Sequence, residues 1–313
     1  MDFRQLRYFV AVARERNFTR AAQSLHIAQP PLSRQIQLLE EELGVDLITR
    51  KSRPVRLTDA GRLFYEQAIQ VLGRIDQMRE ATRRVGLNQN SVLSIGFVAS
   101  TLYGGLPSLV RKLRQHAPEL DIRLLEMVSV QQIPALKEGR IDVGFGRLRH
   151  SDPSVSGTVL REERLVVAVP YGSELSRSSA PLPVAELAGQ KIIVYPKEPR
   201  PGYADQVLSL LNGRDARPAE VQEVREIQTA LGLVAAEAGI CIIPASARQM
   251  RSDVHYRLLE DKNATSPVIL SHRVSDSSNY IHLIKQLIQE MYSENPPWLD
   301  LENNLLLPEH KLR

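Results

Sequence analysis

The chain is nearly devoid of cysteine: Cys241 is the single thiol among 313 residues. This excludes an intrachain disulfide and any cysteine-cluster metal site. The thiol lies in the apolar run GICIIPAS, the setting of a buried structural side chain rather than a nucleophile. The chain also lacks an apolar run long enough to span a bilayer, and its N-terminus has no signal-like apolar stretch. No membrane association and a cytoplasmic location are therefore expected. GxSxG elbows, HExxH pairs and phosphate-binding P-loops are missing, so no motif supports catalysis. A hydrolase assembled from Ser100, a histidine and an aspartate is the remote alternative; no enzymatic activity, metal or cofactor is expected. Internal repeats and low-complexity tracts are absent too.

What is present is an ordinary globular composition, 43% hydrophobic and 24% charged, at a length with room for two or more cores. The net charge is only +4, but it is unevenly placed. Residues 1–89 carry 15 Lys/Arg against 10 Asp/Glu, whereas residues 90–313 carry 25 against 26. The positive excess thus sits in the N-terminal third, where a phosphate backbone would attract it.

That third contains NFTRAAQSLHIAQPPLSRQIQLLEEELG (17–44), which reads as two short helices around a tight turn. Thr19 is expected to cap the first, and Ala21, Ala22 and Leu25 form its apolar face. The second opens at Gln29–Pro30–Pro31, where prolines cost no intrahelical bond, and Gly44 ends it. Leu32, Ile36, Leu39 and Leu43 give a buried stripe. Gln29, Ser33, Arg34 and Gln37 lie beside it as a hydrogen-bonding face suited to a major groove. A plain helical hairpin with a solvated face would share this pattern. A helix over 2–14, with Leu6, Phe9, Val10 and Ala13 on one side, packs behind. The stretch LITRKSRPVRLT then suggests a two-stranded wing. Its Arg50, Lys51 and Arg53 either contact phosphates or line a solvated loop.

From a Thr58 cap to about residue 87 one long helix is expected. Phe64, Ala68, Val71, Ile75, Met78, Thr82 and Val85 recur at heptad spacing. Such a seam pairs with a second copy or packs on its own chain; pairing would hold two reading helices at the spacing of a two-fold DNA site.

After a polar hinge at 86–91 the periodicity changes. Strands are read at 92–98, 121–127, 141–146, 165–169, 191–195, 240–244 and 268–273. Helices are read at 106–115, 130–138, 203–211, 227–237 and 279–292, and the tail past Pro296 reads as partly loose. Short apolar strands alternating with helices imply a parallel α/β sheet. Ser100, Thr101, Ser129 and Arg147 all follow strands, so they gather at the sheet edge where ligands bind. Helix N-termini and hydroxyls there favour an anion, and Arg147 could grip a carboxylate with two parallel bonds. Tyr203 and its neighbouring prolines would add an apolar wall. The alternatives are helix capping for the serines and a surface salt bridge for Arg147. The inferred ligand is a small anion, a dicarboxylate fitting best.

The segment LRYFVAVARERNFTRAAQSLHIAQPPLSRQIQLLEEELGVDLITR, followed by RLTDAGRLFYEQA, resembles LysR-type transcriptional regulators throughout the DNA-binding region. PALKEGRIDVGFGR (134–147), YPKEPRPGYAD (195–205) and EVREIQTALGLVAAEAGICIIPAS (223–246) are similar to the branch that controls catechol and benzoate degradation. The resemblance implies a winged helix-turn-helix (1–58), a linker and dimerisation helix (59–89) and an α/β effector domain (90–313). That domain would resemble periplasmic binding proteins, with lobe I at about 90–162 and 267–313 and lobe II at about 163–266. It implies a homotetramer built from dimers that bends double-stranded promoter DNA, contacts RNA polymerase and activates transcription when a small inducer binds. Thr19, Arg20, Gln29, Pro30, Pro31, Ser33, Arg34 and Gln37 would meet DNA, with Arg50, Lys51 and Arg53 on its backbone. In this branch the inducer is cis,cis-muconate or a related dicarboxylate, met by Ser100, Ser129, Arg147 and Tyr203; regulators of other pathways use other carboxylates. Arg161 and Glu226 match a pair that either helps form a second effector site or makes an internal ion pair. One departure stands out: Ala28 replaces the serine that many members place before the reading helix.

Overall fold

Reciprocal side-chain capping starts the first helix, α1 (Phe3–Glu15): the Asp2 carboxylate accepts from the Gln5 backbone, and the Gln5 amide oxygen accepts from the Asp2 backbone. The structure, a computed structural model, describes residues 1–49, 52, 54–86, 91–276, 278–296, 299 and 304–306. It divides into two units, residues 1–89 with 137–140 and residues 90–136 with 141–313.

In the first unit, α2 (Phe18–Ser24) is capped by Asn17, whose side-chain oxygen accepts from the Thr19 and Arg20 backbone N–H groups at 2.9 and 3.1 Å. The expected Thr19 cap is thus corrected: extended backbone at Asn17 aims its amide at the free first-turn donors, and Thr19 lies inside the helix. The next helix, α3 (Gln29–Leu43), begins without a side-chain cap at Ala28 and ends at Gly44, whose φ of +69° suits glycine. Leu32, Ile36 and Leu39 are buried against Phe9, Val12, Ala21 and Ala22. Leu43 departs from the expected stripe; it is 38% exposed because the last turn runs past this core.

Two short strands, β1 (Ile48–Thr49) and β2 (Arg56–Leu57), pair antiparallel as the wing. Arg50, Lys51 and Arg53 lie outside the described residues. Buried Glu40 joins α3 to the wing, its carboxylate accepting from the Leu47 and Ile48 backbones at 2.8 and 3.0 Å. The Thr58 hydroxyl accepts from Gly61 and donates to the Asp46 carbonyl, opening α4 (Asp59–Gly86). The α4 seam is divided. Phe64 and Ala68 pack on α1, with a Phe9–Phe64 edge-to-face contact at 5.1 Å. Val71 and Met78 are 43% and 60% exposed.

The second unit runs β3 (Val92–Phe97), α5 (Leu106–His116), β4 (Asp121–Glu126), α6 (Ser129–Lys137), β5 (Val143–Gly146) and β6 (Val155–Pro170). It continues through β7 (Lys191–Val194), α7 (Tyr203–Asn212), β8 (Glu220–Glu223), α8 (Ile227–Ala235), β9 (Ile240–Pro244) and β10 (Val254–Leu258). The last elements are β11 (Thr265–Arg273), α9 (Asn279–Ser293) and β12 (Asn304–Leu306). The main sheet path is β4-β3-β5-β11-β6-β9-β7-β8. Parallel strands β3, β4 and β5 form lobe I, and parallel strands β7, β8 and β9 form lobe II. Each lobe has its own apolar core, one around Leu93, Ile95 and Leu113, the other around Val167, Ile193 and Leu231.

The parallel strands expected from the alternation form the body of each lobe, and two antiparallel strands join the lobes. β6 and β11 pair antiparallel along their lengths, β11 also pairs antiparallel with β5, and β6 with β9. β6 therefore starts in lobe I and ends in lobe II, and the expected strand at 165–169 is only its far end. In the tail, Leu299 is buried, and β12 pairs with β6 opposite Arg161, Glu162 and Glu163; the rest of the tail past Pro296 lies outside the described residues. Among the described residues no helix is long and apolar enough to cross a membrane.

Candidate functional site

Two surfaces carry the candidate residues. On the first unit the outer face of α3 presents Gln29, Pro30, Pro31, Arg34 and Gln37 exposed, with Ser33 half-buried. Prolines in the first turn leave no backbone bond broken, so polar side chains project from a rigid rod. Thr19 and Arg20 are exposed on α2; Arg20 donates to the Glu15 carbonyl at 2.6 Å, which fixes its direction.

The second surface is a cleft of about 840 Å³ in the second unit, lined by Ser100, Ser129, Arg147, Tyr195, Tyr203, Gln206 and Glu226 among others. Its size is that of small-molecule sites. Ser129, Tyr203 and Ile227 are the first residues of α6, α7 and α8, so three helix N-termini border the cleft, an arrangement that favours negative charge.

Arg147 is the hub. Its backbone N–H donates to the Ser129 hydroxyl at 2.9 Å, and its Nε to the Ser100 hydroxyl at 2.7 Å. Its Nη2 donates to the Glu163 carboxylate at 2.7 Å. The side chain is 4% exposed, and Nη1 is buried with no hydrogen-bond partner among the described residues. A buried donor left unsatisfied is costly, so this nitrogen calls for an acceptor. Nε and one N–H of Nη2 are engaged, which leaves the N–H groups of Nη1 and the second N–H of Nη2 as the donors a carboxylate could take.

Glu163 is the residue that sequence reasoning missed. It is fully buried on β6, takes the Ser246 backbone N–H at 2.6 Å, and stands 3.8 Å from the Arg161 guanidinium. Burial alone would raise its pKa, but Arg147 and Arg161, with the hydrogen bonds, outweigh that and hold it below the usual carboxylate value. Glu163 thus ties the cleft arginine Arg147 to Arg161, which borders a separate void. Nothing in LREERL marks the middle charge as interior, because the strand there carries charges on both faces.

Tyr203 lines the cleft as expected, its hydroxyl donating to the Ile242 carbonyl at 3.3 Å and its ring 5.2 Å from that of Tyr195. Desolvation by burial pushes both phenols well above their ordinary pKa, so the wall is neutral. Thr101 does not share the site. Its hydroxyl donates to the Val98 carbonyl at 2.8 Å, closing the turn after β3, and it borders a separate void. That void, about 20 Å³, also touches Arg161, Leu106, Phe145 and Tyr292. Arg161 and Glu226 consequently belong to different cavities. Arg161 donates to the Tyr292 hydroxyl at 3.0 Å, whereas Glu226 precedes α8 on the main cleft. Burial also pushes the Cys241 thiol far above its ordinary range, as an inert core thiol requires.

A helix-turn-helix with an exposed polar helix on one unit and a small-molecule-sized cleft in the α/β fold of the other are the parts of a ligand-responsive DNA-binding protein. Residues 3–62 match the bacterial regulatory helix-turn-helix protein family of lysR type, and residues 88–293 match the LysR substrate binding domain. The chain belongs to the LysR family of transcriptional regulators. It is 73% identical over 303 residues to the probable cat1 operon transcriptional activator of Acinetobacter lwoffii, covering 97% of this chain and 100% of that one. With the transcriptional regulator BenM of Acinetobacter baylyi it is 44% identical over 305 residues, covering 95% and 100%. The structure of the BenM effector binding domain with its effector benzoate superposes with a TM-score of 0.62 at 39% identity, covering 67% of this chain and 97% of that one. These relatives are regulators rather than enzymes.

Proposed function

We propose that the protein is an inducer-dependent activator of an operon for aromatic-compound degradation, with cis,cis-muconate or a similar small dicarboxylate as inducer. The observation that carries this reading is Arg147 on the cleft, a buried guanidinium with its Nη1 unpaired, beside the N-termini of three helices. A carboxylate there satisfies the arginine, with the Ser100 and Ser129 hydroxyls beside it and the Tyr195–Tyr203 wall against the carbon chain. The name of the A. lwoffii relative supports the operon class. A second, more apolar effector site would have to use the Arg161 void, which at about 20 Å³ needs Tyr292 or its neighbours to move before a ring could enter.

Two copies joined through α4 would present paired α3 helices to an interrupted inverted repeat, and pairs of dimers would make the tetramer. Gln29, Pro30, Pro31, Ser33, Arg34 and Gln37 approach base edges, Thr19 and Arg20 lie alongside, and Arg50, Lys51 and Arg53 hold phosphates. Inducer capture shifts lobe geometry because the ligand binds one arrangement more tightly than the other. The relaxed DNA bend then exposes a contact for RNA polymerase. Arg147→Ala strands Glu163 and is expected to melt earlier, but below its melting temperature it is expected to bind a promoter fragment like wild type while a reporter gene loses its response to muconate. Retained induction in that variant would refute the site.

A further inference from the structure

Gln206 lies in the first turn of α7, on lobe II, and its side-chain amide donates to the Arg147 carbonyl, at the end of β5 on lobe I, at 3.1 Å. With Leu148, Pro201 and Gly202 it lines both the cleft and an open groove of about 650 Å³. It therefore belongs to the thin wall where the lobes meet. Both ends of the bond are held by further hydrogen bonds. Arg147 is held within lobe I through Ser100 and Ser129 and across to lobe II through Glu163. The start of α7 is held by Asp205, which accepts from the Gly202 backbone at 2.6 Å, and by the Tyr203 hydroxyl on Ile242. A bond between two anchored ends can form at only one lobe spacing. Gln206 itself is half-buried, whereas Ala204, Val207 and Leu211 carry the packing of α7.

We propose that Gln206 is a positioning residue, a latch from lobe II to the backbone of the anion-binding arginine that sets how closely the cleft closes on its ligand. The proposal rests on the reading of the cleft as the effector site, and it assigns to a neutral residue the control of lobe spacing. A carbonyl oxygen accepts but cannot donate, so the bond depends on the amide N–H of Gln206. Glutamate at this position has no donor and repels the carbonyl; methionine keeps the length and shape without the donor.

The test uses the full chain with Gln206→Met and Gln206→Glu. Without effector, hydrogen exchange in peptides covering 143–148 and 203–207 is expected to quicken in both variants, with the thermal midpoint and promoter-fragment binding unchanged. Calorimetric titration with cis,cis-muconate is expected to show affinity about three- to tenfold weaker in Gln206→Met, the range for one lost hydrogen bond, and weaker still in Gln206→Glu. Wild-type exchange in both segments overturns the latch. So does wild-type muconate affinity in Gln206→Met. A wild-type chain that binds no muconate refutes the inducer reading, and the exchange measurement then decides the latch by itself.

Discussion

Glu163 keeps its charge in the protein interior because Arg147 and Arg161 flank it and the Ser246 backbone donates to it. Removing one member of such a group strands the others, a loss of about 3–5 kcal/mol. Glu163→Gln is accordingly expected to lower the melting temperature of the second unit by several degrees, read by calorimetry. The pH dependence follows from its depressed pKa. The stabilisation is complete above the unfolded value of 4.5 and drains away as pH falls through the lower folded value. Wild type should lose stability on acidification below about pH 4.5, and Glu163→Gln should show a shallower loss over that window. At this scale the sequence was legible where a residue followed a strand: Ser100, Ser129 and Arg147 are all on the cleft. It was not legible where a role depends on distant partners. The Nε and Nη2 of Arg147 are taken by residues 47 and 16 positions away, and no local spacing foretells that.

Elements stood out when their periodicity reflected burial. The Leu32, Ile36 and Leu39 stripe and the Gly44 stop define α3, and ICIIP is wholly buried as β9. β8 was missed because all four of its residues are exposed, leaving no alternation. The first half of β6 was missed because its interior face carries Arg161 and Glu163 in place of apolar side chains. The wing was readable, but its tie to α3 was not, since a glutamate near a helix end looks like surface charge. Glu40→Ala would leave the Leu47 and Ile48 donors buried and unpaired, at about 1–3 kcal/mol each. The expected outcome is a less stable first unit and weaker binding to promoter DNA by mobility shift, with muconate affinity intact.

At the scale of the whole molecule, the heptad pattern of α4 is only partly covered by its own chain. Its N-terminal part covers α1, and Val71 and Met78 are left exposed on a single chain. A helix cannot shield such a stripe alone, so a second copy is the expected cover. Met78→Glu should shift the protein toward monomer in sedimentation experiments and weaken binding to a two-fold promoter site far more than to muconate. The central claim is that the cleft captures a small dicarboxylate through Arg147, and calorimetry tests it most directly. The wild-type chain would be titrated with cis,cis-muconate, with benzoate and an unrelated amino acid as comparators, and the muconate titration repeated on Arg147→Ala. The account predicts saturable binding of muconate by wild type and none by Arg147→Ala. Equal binding by both proteins, or none by wild type, would contradict it.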